Sequence, residues 1–89
     1  MPTAPEVARW MQRKIREERI LNHRDAVEGI RQHFGDEFIY INKNGNPAIR
    51  EDVLQEFRHI TEQSVVWELG MLRWRKRRED DPRGVRQVD

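Results

Sequence analysis

The densest chemistry in this 89-residue chain is a run of cations: Arg73, Arg75, Lys76, Arg77 and Arg78 stand within six residues, beside Trp74. Such a run can hold a phosphate backbone without reading sequence, and an exposed Trp can add base stacking. Glu79-Asp80-Asp81 follows at once and offsets part of that charge. The competing expectation is a solvated strand edge guarded against aggregation, with Trp74 in the core. Arg9, Arg13 and Arg16 form a second basic stripe, with Arg13 and Glu17 at an i,i+4 spacing worth a few tenths of a kcal/mol. Nucleic acid is therefore one candidate partner. The sequence leaves open whether the two basic regions share a side of the fold.

Other chemistries find little support. His23, His33 and His59 are isolated, and no two stand at a metal-ligand spacing, so neither metal nor cofactor is expected. The side-chain hydroxyls other than Tyr40 are Thr3, Thr61 and Ser64, none beside a recognisable base. With no cysteine, thiolate chemistry and disulfides are excluded. Gly35-Asp36-Glu37-Phe38 echoes a nucleotide-cyclase motif, but the chain is too short for such a domain. No Gly-rich phosphate loop is present. The reading is a non-enzymatic binding module.

Composition agrees with a folded domain under a charged skin. The residues are 36% hydrophobic and 37% charged, yet 17 Lys+Arg against 16 Asp+Glu leave a net charge of only +1. One-signed charge at that density would favour disorder; balanced charge with three Trp and three Phe does not. No apolar run approaches the roughly 18 residues of a membrane span, and the N-terminus lacks a signal-peptide pattern. A soluble, cytoplasmic protein is expected.

These residues need elements to position them. Thr3-Ala4-Pro5-Glu6 reads as a capping box opening a first helix with a narrow Val7, Met11, Ile15 stripe and Trp10 at one edge. Extension to Glu18 would place an acid in that stripe, so the helix is expected to end near Arg16 to Arg19. Ile20-Leu21 reads as a connector. Asn22 then caps a second helix over 23–34, with Ala26, Val27, Ile30 and Phe34 inward and Gly35 as its C-cap. Phe38–Ile41 and Pro47–Ile49, across an Asn-Gly-rich turn, suggest a short hairpin; Asn46-Pro47 opening a helix is the alternative.

A third helix is expected from Glu51 to Thr61, with Val53, Leu54, Phe57, Ile60 and Thr61 inward. Its opposite face carries Asp52, Gln55, His59 and Glu62, flanked by Glu51 and Gln63, and would repel phosphates. Val65–Arg75 reads as a hairpin pairing Trp67 with Leu72 and Val65 with Trp74. Val65, Trp67, Leu72 and Trp74 would then face the helices, and Val66, Arg73 and Arg75 the solvent. The domain is expected over 3–78, followed by a polar, extended or mobile tail over 79–89. The fold class is α+β, three helices with an inserted hairpin and a C-terminal hairpin.

Without the inserted hairpin, this element order over roughly 5–77 resembles a winged-helix domain. That resemblance implies that the third helix is the candidate recognition element and Val65–Arg77 the wing. Phe34-Gly35, Tyr40-Ile41-Asn42, Gly45-Asn46, Val53-Leu54, Val65-Val66-Trp67-Glu68 and Trp74-Arg75 also resemble a family of small uncharacterised bacterial proteins. That second resemblance implies no site. A rival function is protein–protein or self-association, because so many aromatics in so small a chain can outrun its core. Phe38, Tyr40 and Trp10 are the candidate interface residues.

Overall fold

The computed structural model describes residues 1–82 and 84–89. Helix α1 (Ala4–Glu18) opens as its sequence predicts. Thr3 is extended, and its hydroxyl accepts from the Glu6 N–H and donates to the Glu6 carboxylate, both at 3.4 Å. The buried face is wider than the expected stripe: Val7, Ala8, Trp10, Met11 and Ile15. Glu18 belongs to the helix without acidifying the core, because it is exposed and pairs with Lys14 at 3.5 Å. That pair, and not Arg13 with Glu17, is the ion pair formed on α1 among the described residues. Arg19 ends the helix in the left-handed region (φ 70°), its N–H bonding the Ile15 carbonyl.

Ile20 to Asn22, expected in part as a connector, is strand β1. Leu21 is buried between exposed Ile20 and Asn22, the period-2 pattern that three residues are too few to announce. Helix α2 (His23–Phe34) buries Ala26, Val27 and Ile30, with Phe34 half-buried, and Gly35 closes it at φ 86°. Asn22 precedes it, but its side chain donates to the Asp25 carboxylate and makes no backbone cap.

The inserted hairpin forms. Strands β2 (Ile39–Ile41) and β3 (Pro47–Ile49) pair antiparallel, with Tyr40 opposite Ala48. The Asn42 carboxamide oxygen organises the turn by accepting from the N–H groups of Asn44 and Asn46, each at 3.0 Å. Helix α3 (Glu51–Ile60) packs along α1, burying Val53 and Phe57, with Leu54 and Ile60 half-buried and Thr61 buried just beyond its end. The Thr61 hydroxyl returns to the Phe57 carbonyl at 2.5 Å.

Strands β4 (Val65–Glu68) and β5 (Arg73–Lys76) form the long hairpin, and β1 pairs on the other side of β5. The register differs from the expected one by two residues. Trp67 faces Trp74 and Val65 faces Lys76, which leaves a four-residue loop, Leu69 to Leu72. This pairing brings the two indoles together, with ring centroids 4.7 Å apart and planes tilted by 54°, and sets Trp74 edge-on to Phe57 at 5.4 Å. It also places Glu68 opposite Arg73, so unlike charges meet across the strands. Leu72 is therefore a loop residue at φ 49° and 57% exposed, not a core residue.

The inside–outside assignment changes with the tail. Val66 and Arg75, expected in solvent, are 1% and 6% exposed. Val66 stands apart from the main core, on the other face of the sheet from Val65. The described residues of 79–89, expected as a mobile tail, return along the sheet and cover that face. Strand β6 (Gln87–Val88) adds parallel to β4, giving the sheet order β1-β5-β4-β6. The Trp67 N–H donates to the Arg86 carbonyl at 2.6 Å. The fold is α+β, with one core between the three helices and the inner face of the sheet.

Candidate polyanion-binding surface

The cation run is split by the strand that carries it and by the tail that follows. Arg73 donates through Nε to Glu68 at 2.5 Å. Arg75 is held harder. Its Nη1 and Nη2 donate to the two Asp81 carboxylate oxygens, each at 2.8 Å, and Nη1 also reaches the Lys76 carbonyl at 3.1 Å. Its Nε lies 3.1 Å from Glu68 Oε2 but is not aligned for a hydrogen bond, so that contact is coulombic. The Arg77 guanidinium donates to the Pro82 and Val85 carbonyls.

The electrostatics follow this geometry. The Arg75 bonds, aided by the Arg78 N–H, hold the Asp81 carboxyl well below the usual carboxylate range. Asp81 in turn pushes the Arg75 guanidinium above its ordinary value. The Arg73 bond is the main cause of the lowered Glu68 pKa, with desolvation acting against it. Arg73, Arg75 and Arg77, expected as phosphate contacts, thus have guanidinium donors engaged within the fold. Arg75 is buried and charge-paired, Arg73 is half-buried against Glu68, and Arg77 is half-buried with its donors on tail carbonyls.

Lys76 and Arg78 remain exposed, and neither is in an ion pair among the described residues. A third cation joins them. The Lys76 N–H donates to the Arg19 carbonyl at 3.2 Å, which brings the end of α1 against the end of β5. The result is an open concavity of about 350 Å³ lined by Arg19, Ile20, Arg75, Lys76, Arg77 and Arg78, with no carboxylate in its wall. Exposed Glu79 and Asp80 follow Arg78 in the chain.

Arg9, Arg13 and Arg16 are all exposed, and at about 100° per residue they share an arc of roughly 60° on α1. Arg16 ends the stripe one helical turn before Arg19, which lines the concavity. Arg19 was missed because it reads as a helix end and not as part of a charge run.

The three candidate interface residues separate. Tyr40 is 48% exposed, but Trp10 is 9% and Phe38 2% exposed, so the latter two are core residues and are corrected as contacts. Trp10 lies edge-on to Phe34 at 6.2 Å and across Gly29, whose missing side chain makes room for the indole. Phe38 lies beneath the Arg50 guanidinium at 5.1 Å. Exposed apolar surface lies elsewhere, at Leu69, Met71 and Leu72 in the β4–β5 loop and at Ile41 beside Tyr40.

The acidic outer face of α3 is partly self-compensated. Asp52 pairs with Arg50, Glu51 with Arg58, and Glu62 with Arg86. Among the described residues no group of three or more His, Asp or Glu side chains is placed to hold a metal ion, and no helix is long and apolar enough to cross a membrane. No curated protein and no solved structure matches the chain. The profile of a family of unknown function, DUF6953, matches residues 3–76, so the chain belongs to that family.

Proposed function

We propose that this chain is a non-enzymatic, winged-helix-like binding module that takes a phosphate-bearing polyanion, a nucleic acid, on the α1–β5 surface. One observation carries the reading: a concavity walled by cations from two elements, with no carboxylate in its lining. Arg19, Lys76 and Arg78 supply the accessible charge, and Arg16, Arg13 and Arg9 extend it along α1. Contacts of this kind hold phosphates and position a strand without reading bases. The β1-β5-β4 order beside three helices supports the winged-helix-like comparison. The chemistry differs from recognition through the third helix, because α3 presents acids outward. A cytoplasmic setting accords with the absence of cysteine.

Fluorescence anisotropy of labelled duplex and single-stranded probes at low salt tests the reading. Binding to the native chain should be lost in the Arg19→Ala, Lys76→Ala, Arg78→Ala triple variant. Retention of full affinity in that variant would remove the surface from consideration.

A second reading has its own observation. Leu69, Met71 and Leu72 are 48%, 60% and 57% exposed at the tip of the β4–β5 hairpin, an apolar tip on a highly charged chain. Such surface fits a protein contact or self-association. A monomeric mass by light scattering at millimolar concentration would count against self-association.

A further inference from the structure

The inner face of the sheet is not closed. A cavity of about 360 Å³ opens between α3, the β4–β5 hairpin and β6, and it shares no lining residue with the α1–β5 concavity. Its walls include four rings: His23, Phe57, Trp67 and Trp74. These form one cluster, with His23 6.3 Å from Trp67 and 6.0 Å from Trp74. Both indoles are only half-buried, although Phe57 beneath them is fully buried. A flat ring placed there would recover apolar contact that water does not supply.

The rim is mixed. Arg58, Arg86 and Gln87 bring donors; Glu62, Thr61 and the Gln87 carboxamide oxygen bring acceptors. Arg86 is already matched by Glu62 at 3.3 Å, and Arg58 by Glu51 at 2.9 Å. Burial lowers the pKa of His23, so the ring facing the cavity is neutral at pH 7 and has one donor and one acceptor nitrogen. A cationic ligand would meet two arginines, and an anionic one would find both already paired. The volume lies near the lower end of ligand sites, roughly 300–1,000 Å³, which suits one ring system with its immediate substituents.

From these observations we infer that the cavity between α3 and the β4–β6 edge binds a neutral planar heteroaromatic ring with a hydrogen-bonding edge, a nucleobase, stacked on one of the two tilted indoles, Trp67 or Trp74, and edge-on to the other. The base class rests on the nucleic-acid reading above. The stacking geometry does not, and nucleosides lack the phosphate on which that reading turns. The site would convert phosphate-driven binding into a preference for unpaired strands, since a base within a duplex cannot enter it.

The test uses the full chain carrying Trp10→Phe, so that only Trp67 and Trp74 report. Adenosine, thymidine and benzyl alcohol are titrated separately, with emission quenching and the two indole N–H resonances as readouts. A short oligothymidylate and its abasic counterpart follow. Saturable nucleoside binding at about tenfold higher affinity than benzyl alcohol is expected, the gain of roughly one good hydrogen bond. The Gln87→Ala variant, at an exposed position, should narrow that ratio. Oligothymidylate should shift both indole signals where the abasic strand does not. Absence of any shift with nucleosides and oligothymidylate, or equal affinity for benzyl alcohol, overturns the inference. Phosphate-driven binding of the abasic strand would survive either failure.

Discussion

Arg75 and Asp81 meet end to end, each terminal guanidinium nitrogen donating to a different carboxylate oxygen at 2.8 Å. The pair is buried on both sides, with side chains 7% and 8% exposed. It ties the tail to the middle of the β-sheet. Removing one member of such a pair leaves an uncompensated charge, which costs far more than the pair itself contributes. Asp81→Asn is therefore expected to lower Tm by roughly 5 °C or more. It should also raise amide exchange at Trp67, whose N–H donates to the Arg86 carbonyl of the tail. Thermal melts with hydrogen exchange check this, and unchanged protection at Trp67 would show that the tail holds without the pair.

Gly29 offers a test of the helix core. A Cβ there would come well inside van der Waals contact with the Trp10 ring. Glycine to alanine in a helix normally gains up to about 1 kcal/mol, whereas overpacking a filled site costs about 1–3 kcal/mol. The clash should win, because Trp10 is also confined by Phe34 and His33. Gly29→Ala is predicted to destabilise by about 1–2 kcal/mol net in chemical denaturation. A stabilised variant would mean that the indole moves freely.

Helix positions were legible in the sequence because their signals are local. Thr3-Ala4-Pro5-Glu6, Gly35 and the spacing of Ala26, Val27 and Ile30 each act within a turn or two. The sites were less legible because their partners are distant. Leu21 becomes a strand residue only once Trp74 lies opposite it. The β4–β5 register depended on which side chains β4 must match, and the Trp67–Trp74 contact outweighed the chance to bury Leu72. The basic run was visible as composition, yet the fate of Arg75 depended on Asp81 folding back, and Glu79-Asp80-Asp81 signalled only partial neutralisation. The Arg19–Lys76 junction joins residues far apart in sequence, and no local pattern marks it.

Arg19 separates binding from stability. It adopts φ 70° at the end of α1, where a side chain costs about 1–2 kcal/mol relative to the right-handed region. Glycine relieves that cost but loosens the unfolded chain by about 0.4–1 kcal/mol. Arg19→Gly should thus keep or raise stability by up to about 1 kcal/mol while weakening polyanion binding. Paired denaturation and anisotropy measurements check both halves. Undiminished affinity in a stable Arg19→Gly variant would remove this residue from the interface.

His23 gives a pH signature. Burial holds its folded-state pKa below the ordinary 6.5, so the unfolded chain takes up the proton first. Stability from this group is complete above about 6.5 and declines as pH falls through the lowered value. Asp81 acts later, since its contribution is retained until pH drops below the usual carboxylate range. Denaturation midpoints should therefore fall in two stages on acidification. His23→Asn should flatten the first stage and leave the second. A native chain with no midpoint change between pH 7 and 5 would contradict this assignment.

The salt dependence of single-stranded DNA binding tests the phosphate-driven interface most directly. Three accessible cations, Arg19, Lys76 and Arg78, with support from α1, predict that log K falls with log salt at a slope of about −2 to −4. The Lys76→Ala, Arg78→Ala double variant should make that slope shallower by about 1 to 2, while its melting temperature stays near that of the native chain. A slope near zero, or one unchanged in the double variant, would contradict phosphate binding at the α1–β5 surface.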